Sequence, residues 1–254
     1  MWPRIGPVAT YGVLYLLGII LHFIIARRVA HRLGLRRRVW IMASVCYMLG
    51  MIPGAKFLYH LRTAGFDPMV IFSIKHYIQG GLWGGLLAYM PLAIPVTLLL
   101  DRNKRAALDL VAVSVPIPWA IAKLGCLLNG CCYGTPCSLP WAVVFPEGIE
   151  GTPAGVPLHP TQVYEIILMG MLAVVFRLLR SERWRGTMLL WFVGIYGIGR
   201  AATDMFRGDA DRYIHIGPIT LTQLICIAAA VFSIGMLLWH TSLPKKGDET
   251  APLA

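Results

Sequence analysis

The stretch Lys123-Leu-Gly-Cys-Leu-Leu-Asn-Gly-Cys-Cys-Tyr-Gly134 closes an apolar run with a lysine, an asparagine and three cysteines. An ammonium at that depth can meet a phosphate as a point charge, and a thiol becomes a nucleophile once it ionises. A second cluster is Leu158-His-Pro-Thr-Gln-Val-Tyr-Glu165. With Pro160 in the first helical turn, His159, Gln162 and Glu165 fall at steps of three. One helical face then carries an imidazole, an amide and a carboxylate. A third cluster, Arg200, Asp204 and Arg207, has spacings of four and three, with Tyr196 one turn earlier on the same face. There Asp204 can orient the Arg200 guanidinium for bidentate phosphate binding. A fourth segment, Lys75 to Gly85, offers His76, Gln79 and a run of glycines at the head of an apolar run.

Each cluster also has a structural explanation. Lys123 can snorkel to headgroups, Glu165 can offset a helix dipole, and Arg200 with Asp204 can be a buried pair. Gly84 and Gly85 suit close helix packing. Of six cysteines, Cys46 and Cys226 lie inside apolar runs and read as small core residues. Cys126, Cys131, Cys132 and Cys137 are spaced C-x4-C-C-x4-C. A disulfide, a reactive thiol site at Cys126, Cys131 and Cys132, and free thiols all remain open for them. The spacing does not match the usual zinc patterns, so no metal is expected.

Long apolar elements must position these groups. The chain is 57% apolar and 14% charged over 254 residues, with a mean hydropathy of +0.66. A soluble domain of this size would expose too much apolar surface. The pattern predicts an all-α membrane protein with seven spans of roughly 20 residues each, at about 8–26, 40–59, 80–100, 108–128, 162–180, 187–206 and 218–239. Pro116 and Pro118 should kink or loosen the fourth. The basic residues that follow the first run, rather than precede it, argue for a retained helix over a signal peptide. Residues 1–240 read as a single integral membrane domain. It carries an insertion at about 129–160, whose segment around Val143 reads as a short strand. Residues 241–254 read as a disordered tail.

Most of the 23 lysines and arginines sit in four groups. These are Arg27 to Arg38, Arg102 to Arg105, Arg177 to Arg185, and Lys245 with Lys246. Seven spans put all four groups on one side, which the positive-inside rule makes cytoplasmic, with the N-terminus outside and the insertion periplasmic. The net charge of +11 is then topology and anionic-lipid contact. Basic residues divided among short loops do not suit nucleic acid.

Together these residues resemble bacterial prolipoprotein diacylglyceryl transferases, from about Ile52-Pro-Gly-Ala-Lys56 to Arg207. His159-Pro-Thr-Gln-Val-Tyr-Glu165 is similar to that family's His-Pro-Ser-Gln-Leu-Tyr-Glu, and Trp141-Ala-Val-Val-Phe-Pro146 also matches. Ile198 to Arg207 resembles the essential arginine segment, which carries Arg200 over. Lys123 to Gly130 aligns with the signature Gly-Arg-x-x-Asn-x-x-Asn-Gly-Glu. The signature arginine is Lys123 here, its first asparagine is Cys126 and its glutamate is Cys131. The histidine before Gly-Gly-Leu is Gln79. Only Asn129 and Gly130 remain from that part of the motif.

The resemblance implies transfer of diacylglycerol from phosphatidylglycerol to the lipobox cysteine of a preprolipoprotein signal peptide. It further implies a protein of the bacterial inner membrane, with its site open to the periplasmic side and to membrane lipids; a monomer is expected. No cofactor is expected. On this reading Arg200, Lys123, His159 and Glu165 are catalytic. Gln79, Asn129, Gly130, Gln162, Asp204, Arg207 and Tyr196 bind substrate. His159, Glu165 and His76 are the candidate bases. Three alternatives stay open: lipid transfer to another acceptor, phospholipid binding without transfer, and a thiol oxidoreductase.

Overall fold

A computed structural model of the chain describes residues 4–5, 8–63, 82–149, 151–179, 184–208 and 215–242. Among the described residues, three short antiparallel strand pairs accompany the helices: β1 (Arg4–Ile5) with β2 (Val8–Ala9), β3 (Val143–Val144) with β4 (Pro157–Leu158), and β5 (His215–Ile216) with β6 (Ile219–Thr220). The helices are α1 (Thr10–Arg32), α2 (Arg37–Thr63), α3 (Leu82–Leu100), α4 (Lys104–Val113), α5 (Pro116–Asn129), α6 (Thr161–Leu178), α7 (Met188–Asp204) and α8 (Leu221–Ser242). The expected strand near Val143 is present, paired with the segment that leads into His159.

Among the described residues, four stretches are long and apolar enough to cross a membrane: Thr10–Arg32, Lys104–Asn129, Thr161–Leu178 and Leu221–Ser242, with Gly85–Leu100 a shorter apolar helix. The chain is an all-α membrane protein. Within the apolar stretch of Lys104–Asn129, 67% of residues are buried, against 33% in α1 and in α8. The path through α4 and α5 is therefore the axis of the bundle, and the flanking helices turn Leu16, Val231, Phe232 and Leu238 outward, where lipid tails suit them.

The break inside this axial path falls at Ser114 and Val115, because Pro116 opens α5 at its first position. Pro116 and Pro118 have no N–H to continue the α4 ladder. Ser114 turns this break into a cross-link, its Oγ lying 3.0 Å from Nε2 of buried His22 on α1, whose ring stacks on Tyr47 of α2. Glycine lets other helices approach closely: a Cβ at Gly50 would stand 2.6 Å from the Tyr89 backbone, joining α2 to α3, and one at Gly197 would stand 2.6 Å from the Cys226 carbonyl, joining α7 to α8.

At one end of the bundle the basic loops meet. The Arg36 N–H donates to Asp101 between α3 and α4. Asp109 of α4 accepts from the N–H groups of Gly186 (2.7 Å) and Met188 (3.0 Å), which start α7. The tail expected over 241–254 starts inside α8, which takes in Thr241 and Ser242, and residues 243–254 lie outside the described residues, as do His76 and Gln79.

Candidate active site

At the opposite end, α5, α6 and α7 bring ionised side chains together inside the bundle. Lys123 comes from the third turn of α5, Glu165 from the second turn of α6 and Arg200 from the last full turn of α7. Lys123 Nζ donates to Glu165 Oε1 at 2.7 Å, and Arg200 Nη1 approaches the same oxygen at 3.3 Å. The other carboxylate oxygen, Oε2, accepts from Trp119 Nε1 at 3.2 Å. These charged residues are almost wholly buried, at 4% exposure for Lys123, 1% for Glu165 and 2% for Arg200. Isolated charges there would be prohibitively costly, so pairing is obligatory.

Asp204 extends the cluster. Its Oδ1 lies 2.7 Å from Arg200 Nη1 as an ion pair, without the alignment of a hydrogen bond. Arg207, also buried, adds a third cation within electrostatic reach of Glu165 and Lys123. Tyr196 packs edge-on against Trp119 with ring centroids 5.9 Å apart, which closes the apolar floor.

Gln162 is fully buried one turn before Glu165. Its Nε2 donates to the Cys131 carbonyl at 2.7 Å, while Oε1 has no hydrogen-bond partner among the described residues. Thr161 Oγ1 donates to the next carbonyl, that of Cys132. The first turn of α6 thus clamps the loop that leaves α5. Asn129 ends α5, and Gly130 terminates it in the left-handed region at φ 76°. A Cβ at Gly130 would also lie 2.9 Å from Ile149, so a close approach and a helix end explain this glycine.

His159 stands elsewhere. Helix α6 begins at Thr161 with Pro160 as its cap residue, so the spacing of three does not extend back to His159. Pro160 disfavours helical backbone at the residue before it, and β4 runs directly into that position. The half-buried His159 ring instead meets the Tyr164 hydroxyl through Nδ1 at 3.0 Å and packs on Phe206 at a centroid distance of 4.8 Å. Trp141 Nε1 donates to the same hydroxyl. The expected single polar face is therefore two sites: Gln162 and Glu165 inside, His159 at an aromatic rim.

All six cysteines are free thiols, so the disulfide alternative finds no bond here. Cys126, Cys131 and Cys132 nonetheless converge, their sulfurs all within 4.8 Å of one another. Cys137 is not part of that group. Hydrogen bonds from the Cys126 and Cys131 thiols, with the Arg207 and Lys123 cations beyond them, hold the Cys132 thiol well below its usual range. Trp119 was not legible as a site residue, although its place one turn before Lys123 on α5 was the available signal.

Residues 3–239 match the sequence model of the prolipoprotein diacylglyceryl transferase family. A phosphatidylglycerol–prolipoprotein diacylglyceryl transferase of Geobacter sulfurreducens is 30% identical over 243 residues, covering 90% of this chain and 88% of that protein. The protein of the same name from Nitratidesulfovibrio vulgaris is 30% identical over 277 residues, covering 100% of this chain and 98% of its own length. One from Pseudomonas putida is 29% identical over 259 residues, covering 94% and 95%. The chain belongs to the prolipoprotein diacylglyceryl transferase family.

Proposed function

We propose that this chain transfers the diacylglyceryl group of phosphatidylglycerol to the lipobox cysteine thiol of a preprolipoprotein, forming a thioether and releasing glycerol phosphate. The observation that carries the reading is the meeting of Lys123 and Arg200 on one buried carboxylate, drawn from two different helices. Two cations fixed at membrane depth suit a phosphodiester, and charge grows on the departing phosphate as the carbon–oxygen bond breaks. Preorganised cations stabilise that charge without reorganising at the moment of reaction. Glu165, already accepting from three donors, acts as a positioning carboxylate: it holds both cations in place. Asp204 does the same for Arg200. The unpartnered Oε1 of Gln162 can accept a hydroxyl of the glycerol headgroup, since a buried acceptor otherwise carries a penalty. Tyr196 and Arg207 lie within electrostatic reach of Glu165, Asn129 meets Cys131, and Gln79 is assigned to substrate by the resemblance alone.

In this reading the chain crosses the bacterial inner membrane seven times, α4 and α5 counting as one traverse. The N-terminus is outside, the basic loops are cytoplasmic, and the site faces the periplasmic half. The hydrogen bonds from the Arg36 loop to Asp101 and from the α6–α7 loop to Asp109 support a common side for three basic groups. One chain supplies all the residues named, so a monomer suffices.

The test is expression in a bacterium depleted of its own transferase. Restored growth with diacylglyceryl-modified lipoproteins, identified by mass spectrometry, is expected. A well-expressed chain that binds phosphatidylglycerol but forms no thioether on a lipobox peptide would instead be a lipid-binding protein.

A further inference from the structure

The acceptor in this reaction must be a thiolate, because a thiol is a poor nucleophile. Among the described residues, both carboxylates of the buried cluster, Glu165 and Asp204, are committed to cations. Glu165 is held by Lys123, Arg200 and Trp119, and His159 is engaged with Tyr164 at the rim. Next to the cations, however, stand three thiols that this assignment does not use. We infer that Cys126, Cys131 and Cys132 bind a zinc ion whose fourth position takes the acceptor thiol and so activates it.

Geometry supports a built site. Zinc–sulfur bonds of about 2.3 Å put tetrahedral sulfurs roughly 3.8 Å apart. The three sulfurs already lie within 4.8 Å of one another, so closure needs a movement of about 1 Å at most. Neighbouring side chains on extended backbone diverge. Cys132 avoids this by adopting φ 63°, the one positive φ outside glycine among the described residues. The carbonyls of both loop cysteines are pinned by Gln162 and Thr161 of α6. Cys126 is buried on α5, while Cys131 and Cys132 are half-exposed, which leaves an approach from the rim.

The chemistry also fits. Structural zinc sites close with four protein ligands, whereas catalytic ones keep three and an open position. No fourth histidine, cysteine or carboxylate joins the three thiols among the described residues. A zinc ion with three thiolates carries one negative charge, and the Lys123 and Arg207 cations lie within electrostatic reach of Cys132. The linear spacing C-x4-C-C-x4-C gave no zinc pattern because a helix end and a left-handed turn, not a short knuckle, gather the ligands.

The inference rests on the transferase reading for its substrate. On coordination the acceptor thiol loses its proton to water. Its sulfur lone pair then attacks the glyceryl carbon that carries the phosphate oxygen. The carbon–sulfur bond forms, the carbon–oxygen bond breaks, and the electron pair departs on glycerol phosphate between Lys123 and Arg200. The thioether is a weaker ligand than a thiolate and dissociates from the ion. Nothing is oxidised or reduced.

The experiment uses the reduced full-length chain in phosphatidylglycerol nanodiscs. Zinc titration against a chelator should give one ion per chain. Cobalt(II) in its place should show a thiolate charge-transfer band that grows by about one-third when a lipobox peptide adds a fourth sulfur. Cys131→Ser should weaken zinc by more than the about 10–100-fold that loss of an outer-shell partner costs, while Cys137→Ser leaves binding unchanged. Stripping the ion should abolish thioether formation, and zinc should restore it. Failure of the folded, reduced chain to bind zinc, or recovery of a disulfide among the three thiols, overturns the inference. So does undiminished transfer by the metal-free chain, which would leave the transferase reading intact. A cobalt band that answers the peptide without any thioether formed supports the metal site and counts against the transferase reading.

Discussion

The two ends of the bundle handle charge in opposite ways. At the basic end, Arg27, Arg28, Arg32, Arg37 and Arg38 are exposed, and the two acids that matter, Asp101 and Asp109, accept from backbone N–H groups. Those acids start helices and tie loops together. At the other end Lys123, Glu165, Arg200 and Asp204 are buried and pair with one another across three helices. The exposed arginines cost little there, and the buried Asp101 and Asp109 are compensated by backbone N–H donors. Buried charges are retained against a desolvation penalty, and a purely structural bundle could replace them with apolar residues. The difference separates exposed charge, which the proposed topology explains, from buried charge, to which the proposed reaction gives a use.

The largest effect on transfer should come from Arg200→Ala, which is expected to lower thioether formation by about 10²–10³-fold, as loss of one preorganised stabilising donor does. Arg27→Gln with Arg28→Gln should leave that rate unchanged; equal losses at both ends would erase the distinction. Glu165→Ala should destabilise the folded chain by about 3–5 kcal/mol, because Lys123 and Arg200 are left buried without their carboxylate. Thermal unfolding in detergent, with Glu165→Gln as the milder comparison, measures it. Gly134→Ala should cost about 1–3 kcal/mol by overpacking, since its Cβ would stand 2.4 Å from that of His159 and 2.6 Å from the Phe206 carbonyl.

At the basic end, Asp109→Ala should cost about 1–2 kcal/mol, the range for a lost N-terminal cap, with transfer retained. The smallest effect is a pH dependence at Asp101. The Asn103 N–H, then those of Arg36 and Arg102 with the Arg36 charge, hold its carboxyl below the usual range against the opposing effect of burial. Its contribution to stability is therefore complete above the ordinary carboxylate pKa and disappears as pH falls through the lowered folded value. Wild type and Asp101→Asn should differ in unfolding temperature at neutral pH and converge in acid.

Much of this contrast was legible in the sequence. Polar residues inside apolar runs picked out Lys123, Glu165, Arg200 and Asp204, and the paired prolines marked the break before α5. Periodicity failed at His159, where it carried a helix through a residue that Pro160 keeps out of one. The cysteines could not be resolved from spacing, because their convergence depends on the left-handed turn at Cys132 and on hydrogen bonds from α6 to the loop. Trp119 was hidden for a simpler reason: an indole in an apolar helix reads as core until its N–H is found on a carboxylate. Gln79 and His76 lie outside the described residues, so Gln79 rests on the resemblance and His76 on its residue type alone.

The account depends most on where the lipid phosphate sits. Phosphorus–nitrogen dipolar recoupling by solid-state NMR, on the ¹⁵N-labelled chain in phosphatidylglycerol bilayers, reads this directly. The account predicts phosphorus within about 4 Å of Lys123 Nζ and the Arg200 guanidinium, the range of a charge-assisted contact. Both signals should be lost in Glu165→Ala. Phosphorus found only beside Arg27, Arg28 and Arg32, with none near Lys123 or Arg200 in the folded chain, would contradict it.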